Sequence, residues 1–98
     1  MTIEIKKNAT ETIIEIAGRL DTITAPALDK TINEDIGETK NLVLDIEAVE
    51  YISSAGLRVL LSAQKKMAKI GSMKVINVCE EVMEVFEMTG FADILVIE

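Results

Sequence analysis

Apolar and polar residues alternate at the start of the chain, as they do in a strand with one buried face. Ile3 and Ile5 alternate with charged residues, and residues 12–17 form a β-branched, apolar run. The polar segment 7–10 between them suits a turn. We therefore predict that the chain opens with an antiparallel hairpin, and that the strand pattern breaks at residues 18–22.

Three later segments repeat their apolar residues every three or four positions, which is the spacing of one buried helix face. The first segment predicts a helix over residues 25–36, with Thr24 as its N-terminal cap. The second predicts a longer helix from residue 54 to about Gly71, and the third a helix over residues 80–89. A glycine follows each of these segments, as is common where helices end.

Short apolar runs between and after these helices predict further strands. They lie at residues 41–46, 73–78 and 94–97, and the first of them, NLVLDI, suits a strand buried on both faces. The resulting order is ββαβαβαβ. It predicts an α/β fold in which helices pack on a mainly parallel mixed sheet with right-handed crossovers. The 98 residues contain no internal repeat or flexible linker, so we expect one domain over residues 1–98.

The residue types on which much enzyme chemistry depends are scarce in this chain. It has no histidine and a single cysteine, Cys79. This composition excludes Ser-His and Cys-His nucleophile pairs and a zinc site built from soft ligands. A small enzyme or nucleotide-binding protein is a weak alternative, because the sequence has no glycine-rich phosphate loop and no paired-carboxylate cleft. We predict no enzymatic activity, no cofactor and no metal.

The balance of charge is acidic, with 10 basic and 17 acidic residues and a formal net charge of −7. Affinity for nucleic acid comes mostly from cations along the phosphate backbone, so we expect no direct nucleic acid partner. No apolar run reaches the roughly 18 residues that span a bilayer, and residues 1–10 lack the features of a signal peptide. We therefore expect a cytoplasmic protein that does not insert into a membrane.

Two loops follow predicted strands at one edge of the sheet, where ligands and partners of such folds tend to bind. They are residues 18–22 and residues 51–56, and we expect them to be neighbours. In the second loop, Ser53 and Ser54 stand at the opening of a helix, whose free N–H groups and dipole favour a phosphate. Two readings remain open for Ser54, a phosphorylation switch and a simple helix cap. Asp21 in the first loop is likewise either a cap or a partner contact.

The second loop carries a resemblance to a known family. The stretch YISSAGLRVLL, residues 51–61, resembles the phosphorylation-site segment of the bacterial anti-sigma factor antagonists, which are stand-alone STAS domains. The segment GRLD at residues 18–21, followed by Thr24 and Ala25, resembles the second motif of that family at the expected distance upstream. The predicted order of strands and helices agrees with the family over nearly the whole chain.

The resemblance implies a regulatory protein that binds an anti-sigma factor and frees a sigma factor to join RNA polymerase. The anti-sigma factor is usually also a serine kinase, which reverses the effect by phosphorylating the antagonist, and a serine phosphatase resets the system. The motif makes Ser54 the expected acceptor. The residues that it implies for partner binding are Asp21, Thr22, Ser53, Ser54, Gly56 and Arg58.

Three positions depart from the common family pattern. Ser53 stands where many members carry Asp, so it is a possible second acceptor. Ala55 and Arg58 replace residues that are Ser or Thr and Gly, respectively, in some members. The alternative function is a STAS subunit of a membrane lipid- or anion-transport assembly, which binds its partner without being phosphorylated. Retention of Ser54 favours the phosphorylation switch.

Overall fold

The computed structural model describes residues 1–37 and 39–98. Within these residues the chain forms four strands, three α-helices and a short 3-10 turn. In chain order they are β1 (Thr2–Lys7), β2 (Glu11–Leu20), α1 (Ala25–Glu34), β3 (Asn41–Ile52), α2 (Ser54–Ile70), β4 (Ser72–Ile76), α3 (Glu80–Thr89) and the 3-10 turn Phe91–Asp93.

The strands form one mixed sheet in the order β1-β2-β3-β4. β1 pairs with β2 in an antiparallel hairpin, whose turn is closed by the Asn8 side chain as it accepts from the N–H groups of Thr10 and Glu11. The pairs β2·β3 and β3·β4 are parallel, with α1 and α2 as their respective crossovers. The predicted hairpin and the predicted α/β fold with a mainly parallel sheet are therefore confirmed.

All three helices bury their apolar faces in one core on one side of the sheet. That core joins alternate strand residues, such as Ile14 and Leu44, to Leu28 of α1, Leu60 of α2 and Phe86 of α3, each 0% exposed. The opposite side of the sheet is less covered. An open groove there is lined by acidic side chains, among them Glu4, Glu15, Asp45 and Glu47. The helices thus leave the ends of the strands and one sheet face accessible.

Two strands run further than the sequence pattern predicts. β2 continues to Leu20 and β3 to Ile52, because parallel pairing resumes after register shifts at residues 15–19 and joins these two end residues. Gly18 lies in this irregular stretch with φ +103°, a conformation that glycine adopts readily. Residues 47–51 resemble a loop because several of their side chains are polar and exposed. The predicted break at residues 18–22 is therefore wrong for 18–20.

The predicted strand over residues 94–97 forms only one isolated bridge, between Ile97 and Val75 of β4. The helical turn that begins at Phe91 extends into this segment, because the N–H groups of Ile94 and Leu95 both donate to the Phe91 carbonyl. Leu95 then enters the core at 5% exposure, and the backbone pairing with β4 is limited, among the described residues, to the two bonds that Val75 makes with Val96 and Glu98. The observed order is consequently ββαβαβα followed by this bridge.

The predicted helix positions are close to those observed. α2 and α3 match the predictions, whereas α1 ends at Glu34, two residues before the predicted end. Ile36 remains 2% exposed beyond that end, so the apolar spacing continues further than the helix itself. The predicted cap at Thr24 is wrong as a side-chain cap, because its hydroxyl makes no capping bond to α1.

Candidate functional site

The two candidate loops lie side by side at the carboxyl edge of the sheet. Leu20 and Ile52 form the last pair of β2 and β3, and the N–H of Ser53 donates to the Leu20 carbonyl at 2.9 Å. This bond fixes the start of α2 against the end of β2. The structure thus brings together the loops that carry Asp21 and Ser54.

The two adjacent serines have different surroundings. Ser53 is the N-cap of α2, with extended backbone, and its Oγ accepts from the Gly56 N–H at 3.4 Å. Ser54 is the first residue of the helix and is exposed, and within residues 1–37 and 39–98 its hydroxyl has no hydrogen-bond partner. The capping role that the sequence left open for Ser54 therefore belongs to Ser53. The Ser54 hydroxyl is free for chemistry at the surface.

Gly56 lets α2 approach the ends of both central strands. A Cβ at this position would lie 2.8 Å from Leu20 Cγ, 2.8 Å from Ile52 Cγ1 and 3.0 Å from the Leu20 carbonyl oxygen. These distances leave no room for a side chain, so glycine is required for this close packing. Gly56 is also buried. It positions Ser53 and Ser54 and presents little surface of its own.

Asp21 organises the first loop through its carboxylate. Its Oδ1 accepts from the N–H groups of Ile23 and Thr24, both at 3.0 Å. These bonds lower the pKa of Asp21 below its usual value, the Thr24 N–H being the largest cause. Thr24 supports the same turn, since its hydroxyl accepts from the Asp21 N–H at 2.9 Å and donates to the Arg19 carbonyl at 2.6 Å. Asp21 and Thr24 therefore hold the turn before α1, and the N–H groups that bond to the Asp21 carboxylate precede the helix.

Arg19 links the two loops on their outer side. Its guanidinium lies 4.0 Å from the centre of the Tyr51 ring, at a distance typical of cation-π contacts. Its Nε is also 3.5 Å from Asp21 Oδ2. Because the Arg19 side chain is 65% exposed, both contacts lie at the surface and carry little stability alone. They do engage the Arg19 cation with Tyr51 and Asp21.

A shallow groove runs between the first turns of α1 and α2. Its lining includes Thr22 and Asp29 on one side, and Ala55 and Arg58 on the other. The structure therefore places two of the expected partner-binding residues, Thr22 and Arg58, in one surface feature that begins directly after Ser54.

Ile23 is a surface residue at this site that the sequence reasoning missed. It is 87% exposed, although its backbone is held by the Asp21 carboxylate. A single isoleucine in the otherwise polar stretch 21–24, after the strand pattern has ended, was the available signal. A large apolar side chain fixed at the tip of an ordered turn is suited to a protein contact.

The methionines and the single cysteine differ in their exposure. Met67 and Met73 are core residues at 0% and 3% exposure, whereas Met88 is 87% exposed on α3. Cys79 is half-buried, and its Sγ lies 3.4 Å from the Val49 carbonyl. In the part of the chain that the structure describes, no group of three or more His, Cys, Asp or Glu side chains is placed to hold a metal ion.

Among the described residues, no helix combines the length and the apolar character needed to cross a bilayer.

Comparison with known proteins identifies the family. The family model for the STAS domain matches residues 2–98. The anti-sigma-B factor antagonist of Bacillus subtilis strain 168 is 30% identical over 94 residues, covering 95% of this chain and 86% of that protein. A crystal structure of an anti-sigma factor antagonist from Mycobacterium paratuberculosis superposes with a TM-score of 0.88 at 25% identity, covering 98% of this chain and 83% of that one.

A further solved structure shares the fold at lower identity. It is the Bacillus cell fate determinant SpoIIAA in its phosphorylated form, with a TM-score of 0.76 at 17% identity, covering 99% of this chain and 91% of that one. The family match covers nearly the whole chain, and the observed sheet and helices agree with it. The chain therefore belongs to the STAS domain family.

Proposed function

We propose that this protein is an anti-sigma factor antagonist, which binds an anti-sigma factor and so releases a sigma factor, and which phosphorylation of Ser54 switches off. The observation that carries the proposal is the exposed, uncommitted Ser54 hydroxyl at the edge shared by the two loops. The relatives named as antagonists support the choice of partner, since one of them is similar over 95% of this chain.

The unmodified edge has the features of a protein-binding surface. Ile23 offers an apolar side chain, and the adjoining groove offers Thr22 and the Arg58 cation. Asp21 and Gly56 act beneath this surface, where they fix the turn and the helix start. Partner binding therefore rests directly on Thr22, Ile23 and Arg58, and indirectly on Asp21 and Gly56.

Phosphorylation at Ser54 changes the charge of this surface strongly, although the phosphate group is small. A phosphoserine adds about −1.5 to −2 charge and three acceptor oxygens. A dianion that is buried in an interface without a cation from the partner destabilises the complex by several kcal/mol. The complex with the anti-sigma factor should therefore dissociate when Ser54 is modified.

We assign the modification to Ser54 rather than Ser53. The Oγ of Ser53 is half-buried and accepts the capping bond from Gly56, whereas the Ser54 hydroxyl is exposed. A kinase must bind the acceptor hydroxyl in its active site. The Ser54 hydroxyl can enter that site without breaking the bond that caps α2, whereas the Ser53 hydroxyl cannot.

The enzymes of the cycle are an anti-sigma factor with serine kinase activity and a serine phosphatase. The antagonist itself acts in the cytoplasm by binding, without catalysis.

A pull-down from the native cytosol tests this function against the transport alternative. Wild-type and Ser54→Asp proteins serve as baits, and mass spectrometry identifies what each retains. We expect the wild type alone to retain an anti-sigma factor with a kinase domain. Retention of transporter subunits by both baits would overturn the proposal in favour of the transport assembly.

The acceptor is tested with the recovered kinase and ATP. We expect the wild type and Ser53→Ala to be phosphorylated and Ser54→Ala to remain unmodified, with the site mapped by fragmentation. Ser53→Ala is the matched control, because it removes the neighbouring hydroxyl and leaves the exposed one. Phosphorylation of Ser54→Ala at Ser53 would refute the assignment.

A further inference from the structure

Arg58 lies one helical turn after Ser54 on α2, and both residues are exposed. Within the described residues, the chain's ion pairs involve Lys6, Arg19 and Lys74, and Arg58 has no carboxylate within 4.0 Å. Asp29 of α1 borders the same groove without pairing with it. The Arg58 guanidinium is therefore available to a new anion.

The spacing of the two residues directs them toward each other. Side chains four positions apart lie on the same helix face, with Cβ atoms roughly 5–6 Å apart. Side chains of a helix also lean toward its N-terminus, so the Arg58 side chain leans toward Ser54. A guanidinium offers parallel N–H donors that match two oxygens of a phosphate.

We propose that Arg58 binds the phosphate of phosphorylated Ser54 within the same molecule. This inference rests on the proposed phosphorylation at Ser54 and adds a second effect to it. In the unmodified protein Arg58 lines the groove that, under the proposed function, faces the partner. After modification the phosphate holds that cation, so one event introduces a negative charge and withdraws a positive contact.

The surrounding charges make Arg58 the cation suited to this role. Arg19 is already engaged by Asp21 and the Tyr51 ring. Asp29, which borders the groove from α1, is negatively charged and would repel a phosphate. Of the charged residues that line this groove, Arg58 is therefore the one suited to bind it.

The test measures the second pKa of the phosphate by ³¹P NMR on protein in which phosphoserine is installed at position 54 during synthesis. No kinase is needed, so the result is independent of the proposed partner. A bound cation favours the dianion and lowers this pKa. We expect Arg58→Gln to raise it by about 0.3 pH unit at physiological salt.

Lys65→Gln is the matched control. It removes the same charge from an exposed position on the same helix, but lies eleven residues from Ser54. That separation is about 16 Å along the helix axis, beyond the Debye length of about 8 Å at 0.15 M salt, so its effect should be under about 0.1 pH unit. No shift in Arg58→Gln, or equal shifts in both variants, would overturn the inference.

This readout separates the two proposals. If Ser54 phosphorylation leaves anti-sigma factor binding unchanged, the proposed function fails, while the pKa shift still reports whether Arg58 holds the phosphate. If phosphorylation abolishes binding but the phosphate pKa is the same in Arg58→Gln and Lys65→Gln, the proposed function stands and the Arg58 contact is refuted.

Discussion

Ser53 and Ser54 carry the same hydroxyl group, yet the backbone assigns them different tasks. Ser53 lies just outside α2 in extended conformation, where its oxygen caps the helix. Ser54 lies inside the first turn and faces solvent. A shift of one residue in the start of α2 would exchange these roles, so the cap fixes which serine is open to a kinase.

Replacing Ser53 removes the cap and leaves the acceptor. We expect Ser53→Ala to lower the free energy of unfolding by about 1 kcal/mol, measured by urea denaturation. Ser54→Ala, whose hydroxyl makes no bond in the described structure, should change it by less than about 0.5 kcal/mol. The reverse order of the two effects would show that Ser54 is the cap.

Asp21 makes the stability of the first loop depend on pH. Its pKa is lowered in the folded protein, chiefly by the Thr24 N–H, so its contribution is present above the unfolded pKa of about 3.9 and is lost as the pH falls through the folded value. Asn keeps a side-chain oxygen that can accept the same bonds but does not titrate. The free energy of unfolding, measured by urea denaturation at pH 6 and pH 3, should therefore fall less for Asp21→Asn than for wild type as the pH is lowered. Equal falls in the two proteins would contradict this.

At the scale of elements, the site depends on how closely α2 rests on the ends of β2 and β3. Gly56 makes that approach possible, and the Ser53 N–H bond to Leu20 secures it. The long pairing of the two strands extends to Leu20 and Ile52, directly beneath the helix start. The loops are therefore held as one rigid edge rather than as two independent segments.

Gly56→Ala tests this packing. Alanine is the better helix former by about 1 kcal/mol, but its Cβ would overlap Leu20 and Ile52, and overpacking destabilises by about 1–3 kcal/mol. We expect a net loss of about 1 kcal/mol in thermal or urea unfolding. Ser62→Ala, at an exposed position of α2, is the control and should stabilise slightly. A more stable Gly56→Ala would mean that the helix is not held so close.

The elements that the sequence predicted well are those whose burial is periodic. α2 and α3 follow from apolar spacing and from the glycines after them. The extensions of β2 and β3 do not, because pairing there continues through exposed polar residues that carry no strand pattern. The run 94–97 has the opposite effect. Its apolar sequence predicts a strand, but only Leu95 is buried and the run forms a single bridge to β4.

At the scale of the whole molecule, the helices cover one sheet face and leave the carboxyl edge open for binding. The sequence locates this edge, because its two motif loops each follow a strand. It does not show which serine caps the helix or that Ile23 is exposed, since both depend on backbone geometry set by long-range pairing between the two loops.

Ile23 should anchor the partner. We expect Ile23→Ser to weaken binding to the anti-sigma factor by about 10-fold, as for a moderate interface anchor, without loss of stability. Met88→Ser is the matched control, because Met88 is also 87% exposed but lies on α3. Calorimetric titration of both variants measures the difference. Equal affinities of Ile23→Ser and wild type would place the interface elsewhere.

The central claim is that one exposed hydroxyl controls partner binding. Its most direct test is calorimetric titration of the purified anti-sigma factor with unmodified protein and with protein carrying phosphoserine at position 54. The account predicts that the phosphorylated form binds at least about 100-fold more weakly, because the added negative charge would have to be buried in the interface, while its circular dichroism and melting remain those of a folded domain. Equal affinity of the two folded forms would contradict it.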